Sequence, residues 1–312
     1  MDRQKAVGPL LLLVTAFIWG TAFVAQDIGA AHVDGFTFQA ARNLLGAATL
    51  FVVWLVKDGI AKRRGSYMPP SKASKRYLLW GSLGCGVLLC VAMVLQQYGI
   101  TNNVTSPGKD AFITDLYIVF VPIIGLFTGK RSQPHVYVCV VVALLGLWML
   151  CMGGSGISVG DVQVILCSVA FSFHIALVDH VAPHVDGVKL SCLQFLVAGV
   201  LSAIGMLIVE QPSLTAILAA WFPICYAGIF SAAVAYTLQI LGQARTQPTV
   251  ACLIMSLEAV FAVACSMLLL PGVPHPTARE WIGMVLILAA IIVSQLPLRY
   301  GKKKAEKSKT DT

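Results

Sequence analysis

Ten apolar stretches follow one another along the chain, at 7–27, 36–56, 77–99, 107–128, 135–152, 160–180, 187–209, 218–241, 248–270 and 279–298. Each is close to the roughly 20 residues an α-helix needs to cross a ~30 Å hydrocarbon core. In hydrocarbon every backbone N–H and C=O must be satisfied internally, which leaves helices or closed barrels. Barrel strands alternate apolar and polar residues, whereas the segment from Val136 to Leu150 is apolar all round. The pattern therefore predicts an all-α, polytopic membrane protein of ten transmembrane helices. The longest connection, 57–76, is short and charged and leaves no room for a soluble catalytic or regulatory domain.

The formal net charge is +8, but the basic residues sit in short pieces between and after the apolar spans, so the charge points away from nucleic acid as a partner. With the N-terminus inside, nineteen of the 22 basic residues fall on one side, seven of them in 57–76 and six in the tail after Pro297. That bias predicts cytoplasmic termini at both ends and a place in the cytoplasmic membrane. The tail reads as a topology anchor that also attracts anionic membrane lipid. The first span follows Asp2-Arg3-Gln4-Lys5 without a small-x-small cleavage site, and is expected to be retained. The nine cysteines show no CxxC pair and imply no disulfide framework and no metal ribbon.

The chain repeats itself. Asp27 and His32-Val33-Asp34-Gly35 return as Asp179 and His184-Val185-Asp186-Gly187, 152 residues on. Thr105, Pro107, Leu116 and Phe120 return as Thr246, Pro248, Leu257 and Phe261, 141 residues on, with the difference taken up by the basic connection 57–76. Each half, 1–156 and 157–312, thus holds five helices. Five is odd, so the second copy enters the membrane upside down, and the fold class becomes a 5+5 inverted repeat. Such a repeat can open to either face around a midplane site, the requirement of alternating access.

Ile18-Trp19-Gly20-Thr21-Ala22-Phe23-Val24, Phe38-Gln39-Ala40-Ala41-Arg42-Asn43-Leu44-Leu45, Gly108-Lys109-Asp110-Ala111-Phe112-Ile113-Thr114-Asp115-Leu116-Tyr117 and Leu253-Ile254-Met255-Ser256-Leu257-Glu258-Ala259-Val260-Phe261 resemble the EamA-type branch of the drug/metabolite transporter superfamily. The likeness runs from residue 7 to 298. It implies transport of a small organic metabolite, amino-acid-like or amphiphilic, often as export and without ATP.

Charge inside a span is costly and needs a partner, a cavity or the interface. Glu258 and Asp115 both fall near mid-depth, where a carboxyl can exchange protons or hold a substrate amine. A structural acid hydrogen-bonded to a neighbouring helix fits them as well. Asp27, Arg42, Lys109 and Asp110 share one depth near the outer face, and Asp179 with Arg245 answer them at the inner end. Either a gate or a static bridge accounts for these six. Trp19, Phe23, Gln96, Tyr98, Thr114, Tyr117, His174, Tyr236 and Gln239 supply flat apolar faces with a few polar tips, the makeup of a small-molecule pocket. Pro122 is expected to bend the fourth helix and free the carbonyl of Ile118.

No nucleotide-binding loop is present, so transport would draw on a gradient, with protons as the candidate coupling ion and no cofactor. A gradient-independent facilitator is the nearer alternative. A polytopic enzyme built on the histidines from His174 to His184 is the more distant one, although interfacial histidines without metal explain that cluster better.

Overall fold

The computed structural model describes residues 3–102, 107–129, 132–151, 158–270, 277–294 and 296; Thr105, Lys130, Arg131 and the basic tail lie outside them. Among the described residues every regular element is helical. The principal helices are α1 (Arg3–Ala30), α2 (Gly35–Arg63), α3 (Lys72–Asn102), α4 (Pro107–Thr114 and Tyr117–Phe127) and α5 (Pro134–Cys151). They are followed by α6 (Val159–Val181), α7 (Gly187–Val209), α8 (Trp221–Tyr226, Ala227–Ala235 and Tyr236–Gln243), α9 (Pro248–Met255 and Leu257–Leu269) and α10 (Ala278–Ser294). Eight carry apolar runs long enough to cross a membrane; the runs in α5 and α10, Pro134–Met149 and Trp281–Ser294, are shorter. Eight helices are thus long and apolar enough to cross, and α5 and α10 pack against each other.

The outward faces are as apolar as the core. Val52, Leu83, Val141, Leu207 and Val285 are all exposed, which only a hydrocarbon surround makes inexpensive. Lipid tails resemble leucine, so helix association rests on close backbone approach and on buried polar contacts. Both are present here, and both repeat. A Cβ on Gly242 would stand 3.1 Å from the Gly8 carbonyl, and one on Gly99 would stand 3.1 Å from the Gly160 carbonyl. Gly8 and Gly160 are 152 residues apart, so the α1–α8 crossing is the counterpart of the α3–α6 crossing. The pairs α2–α7 and α5–α10 are their own counterparts and lie across the pseudo-axis.

The two repeats run in opposite senses. The turn before α2 is held at the far end of α7, where Glu210 accepts hydrogen bonds from the backbone of Phe36 and Thr37, both at 2.7 Å. The matching turn before α7 is held at the other end of α2, where Lys57 meets Asp186 at 2.5 Å and Ser74 donates to the His184 carbonyl at 3.0 Å. Because α2 runs from one end of the bundle to the other, the equivalent turns lie at opposite ends. This is the inversion expected from five helices per half.

Helix α4 is interrupted at Asp115 and Leu116, and α9 at Ser256, the position 141 residues beyond Asp115. Both breaks are tightened by bonds of i to i+3 type, from Ile118 N to Asp115 O at 2.9 Å and from Ala259 N to Ser256 O at 3.4 Å. The bend expected at Pro122 is thus found earlier in the helix, and Pro122 itself continues the segment Tyr117–Phe127. Proline is not its cause, since α9 breaks at the equivalent place with Val263 where α4 has Pro122.

Candidate functional site

The breaks in α4 and α9 meet at the centre of the bundle. Tyr117 and Glu258, 141 residues apart, open the second segments of the two helices and line one cavity with Trp19, Phe23, Gln96 and Thr114, and with Gln26, Arg42, Ser231, Tyr236 and Gln239. Phe171 and Ile175 of α6 close its side. Both repeats contribute. The cavity is small, about 30 Å³, room for a water or two. It is narrowed by Trp19 against Tyr236, with ring centroids 4.7 Å apart.

Around it the polar groups fall into satisfied and unsatisfied sets. Gln96 donates to the Thr114 hydroxyl at 3.1 Å. Arg42, 2% exposed, reaches from α2 and donates to the Gln26 side chain at 2.8 Å and to the Ser231 hydroxyl at 3.1 Å. Ser231 stands in Ala227–Ala235, a stretch of α8 wound as a π-helix, a local unwinding that recurs at functional sites. The Arg42 Nε, the Trp19 Nε1 and the Gln239 Oε1 have no hydrogen-bond partner. The Asp115 carboxyl lies among the Glu258 carboxyl, the Tyr117 hydroxyl and the Ala259 backbone. Asp115 is fully buried and Glu258 3% exposed. Two carboxyls side by side at this depth repel each other when both are charged, so the pair is suited to a proton or a positive group.

The remaining expected residues lie elsewhere. Tyr98 is at the end of the bundle, donating to Glu210 at 2.5 Å. His174 is buried one layer behind the cavity wall, bonded to Gln194 of α7 at 3.2 Å and edge-on to Tyr236. His180 and His184 pack with Tyr77, the His184 ring stacked on it at 4.4 Å. Among the described residues no three His, Cys, Asp or Glu side chains gather to hold a metal ion.

The ion network expected among Asp27, Arg42, Lys109 and Asp110 is not assembled in this form. Lys109 pairs with Asp161 of α6 at 2.9 Å, Arg42 turns inward to neutral partners, and Asp27 makes no ion pair among the described residues. Asp110 is buried on the first turn of α4. At the other end Arg245 donates to the Leu241 carbonyl at 2.7 Å and forms no ion pair with Asp179 among the described residues. Sharing a depth did not bring these charges onto facing sides. Asp161 was reached instead because the Ser158 capping box fixes its carboxylate beside Lys109. Gln26, Ser231, Asp161, Glu210 and Asp58 escaped the sequence reading. The 152-residue offset, applied beyond the turns, would have linked Asp58 with Glu210.

The fold and the family agree. A solved structure titled "Crystal structure of protein" superposes with a TM-score of 0.71 over 93% of this chain and 96% of that one, at 18% identity. A protein of Archaeoglobus fulgidus described as an uncharacterized transporter is 26% identical over 302 residues, 94% of this chain and 87% of that relative. The pattern of the EamA-like transporter family fits twice, over residues 6–152 and again over 158–295, once for each set of five helices, and the chain belongs to that family of membrane transporters.

Proposed function

We propose that the protein is a secondary transporter that exports a small zwitterionic metabolite across the cytoplasmic membrane by alternating access, with both termini in the cytoplasm and the repeats 1–156 and 157–312 rocking about the central cavity. The observation that carries this reading is the set of buried, unpartnered polar atoms around one cavity. Interiors rarely tolerate such groups, and here a cationic Arg42 stands on one wall with the Glu258 carboxyl on another and Asp115 directly behind Glu258. Arg42 suits a substrate carboxylate, which its planar fork binds bidentately. The paired acids suit an amine, or a proton released when the amine arrives. Aromatic faces from Trp19, Phe23 and Tyr236 suit a side chain of modest size.

The cavity must widen to admit such a molecule, so this form corresponds to a closed stage of the cycle. Carriers in the family need two near-equal conformations, and the inverted repeats supply them. The test is a thermal-shift screen of the purified protein over amino acids, free amines and free carboxylates. Stabilisation by amino acids, lost in both Arg42→Gln and Glu258→Gln, is expected. Equal stabilisation by lone amines and unchanged response of Arg42→Gln would overturn the zwitterion reading. In proteoliposomes, flux indifferent to an imposed pH gradient would replace the coupled exporter by a facilitator.

A further inference from the structure

Away from the central cavity, an open groove of about 740 Å³ lies between the start of α3 and the end of α6. Its walls are Lys72, Arg76, Tyr77, Trp80, Leu177 and His180. Neither Lys72 nor Arg76 has an acidic partner among the described residues. Asp179, the acid adjoining His180, lines a different recess with Val121 and Thr128. The groove is built on a firm base: Tyr77 is stacked on His184, Ser74 ties the α6–α7 turn to α3, and Gly81 lets Val181 approach to where a Cβ would stand at 2.6 Å.

Polarity changes along its length. The two cations stand at the start of α3. One turn on, Trp80 is 62% exposed, and Leu79 and Leu83 continue an apolar surface toward the bundle middle. A free phosphate would have use only for the charged mouth. A phospholipid uses both parts, its phosphate on Lys72 and Arg76, its glycerol beside the Tyr77 and Trp80 rings at headgroup level, and an acyl chain along Leu79 and Leu83. Basic pockets between transmembrane helices have this chemistry. We infer that this groove is a binding site for one anionic phospholipid, set between the third and sixth helices and separate from the transport cavity.

The test uses the full-length protein in detergent, its thermal midpoint followed while phosphatidylglycerol, phosphatidylcholine or inorganic phosphate is added. Phosphatidylglycerol is expected to raise the midpoint by a few degrees, phosphatidylcholine much less and inorganic phosphate not at all. The increment should vanish in Lys72→Gln/Arg76→Gln and persist in Arg63→Gln/Arg64→Gln, which loses equal charge at the same end of the bundle. Ala73→Trp fills the groove from an exposed position and keeps both cations; it should also abolish the increment, which covers a failure of the double variant to fold. Retention of the increment in Ala73→Trp, equal loss in the Arg63/Arg64 control, or reproduction of the effect by inorganic phosphate would each overturn the lipid site.

Discussion

Asp58 on α2 and Lys189 on α7 are joined at 2.6 Å, and the position 152 residues beyond Asp58 is Glu210, which holds α2 to α7 at the other end of the bundle. The first carboxylate also takes the Trp54 indole N–H at 2.8 Å. The second takes the Phe36 and Thr37 amides, the Thr37 hydroxyl at 2.6 Å and Tyr98. Asp34, the N-cap of α2, makes no side-chain cap bond, so Glu210 caps that helix from across the interface. One symmetric helix pair is thus fastened at both ends by a repeated acid.

If each end must part in turn during transport, the two fastenings work against each other. Asp58→Asn should raise modification of reporter cysteines at the Asp58 end, and Glu210→Gln should raise it at the Phe36 end. Each is expected to lower stability by about 1 kcal/mol. Identical accessibility patterns in the two variants would mean that both are static braces.

Glu258→Gln is expected to remove the response of transport to a pH gradient while the protein remains folded and inserted. Asp115→Asn should weaken that response as well, because its carboxyl lies against that of Glu258. Uptake in proteoliposomes at several external pH values measures this. An unaltered pH dependence in Glu258→Gln rejects the pair as the coupling site.

Arg42→Lys keeps the charge but loses the planar fork. It should reduce affinity for a carboxylate-bearing substrate about tenfold, in line with roughly 1.4 kcal/mol for one charge-assisted bond. Isothermal titration of wild type and variant supplies the comparison, and equal affinities would place the carboxylate elsewhere.

Gly20 lies against α9, where a Cβ would meet the Phe261 Cβ at 2.4 Å and the Glu258 carbonyl at 2.8 Å. Gly20→Val should therefore push α1 from α9 and cost about 1–3 kcal/mol. Thermal unfolding in detergent reads the loss. A wild-type midpoint would show that the helices yield there without strain.

The sequence was most legible where a single helix carries the signal. Helix positions and the His32 and His184 turns follow from local pattern, and the structure keeps a helix at each expected span, eight of them long enough to cross. Seven of the nine expected cavity residues line the cavity, because aromatic and amide side chains at mid-depth in apolar helices have few other places to go. Tyr98 and His174 do not, since depth says nothing about which side of a helix faces inward. The charge pairs were read by depth as well, and in this form Lys109 and Arg42 reach partners on other helices.

What the amino-acid order determined was a lipid-embedded helical chain made of two copies in opposite senses, since hydropathy and an odd number of helices per copy act locally and add along the chain. Which charges meet was decided only by packing. Arg42 finds Gln26 and Ser231, Lys109 finds Asp161, and Asp115 finds Glu258, through contacts between helices far apart in sequence. In a surround as apolar as the core, close approach at small residues and the satisfaction of buried polar groups set the rotation of each helix, and a linear pattern does not encode that rotation.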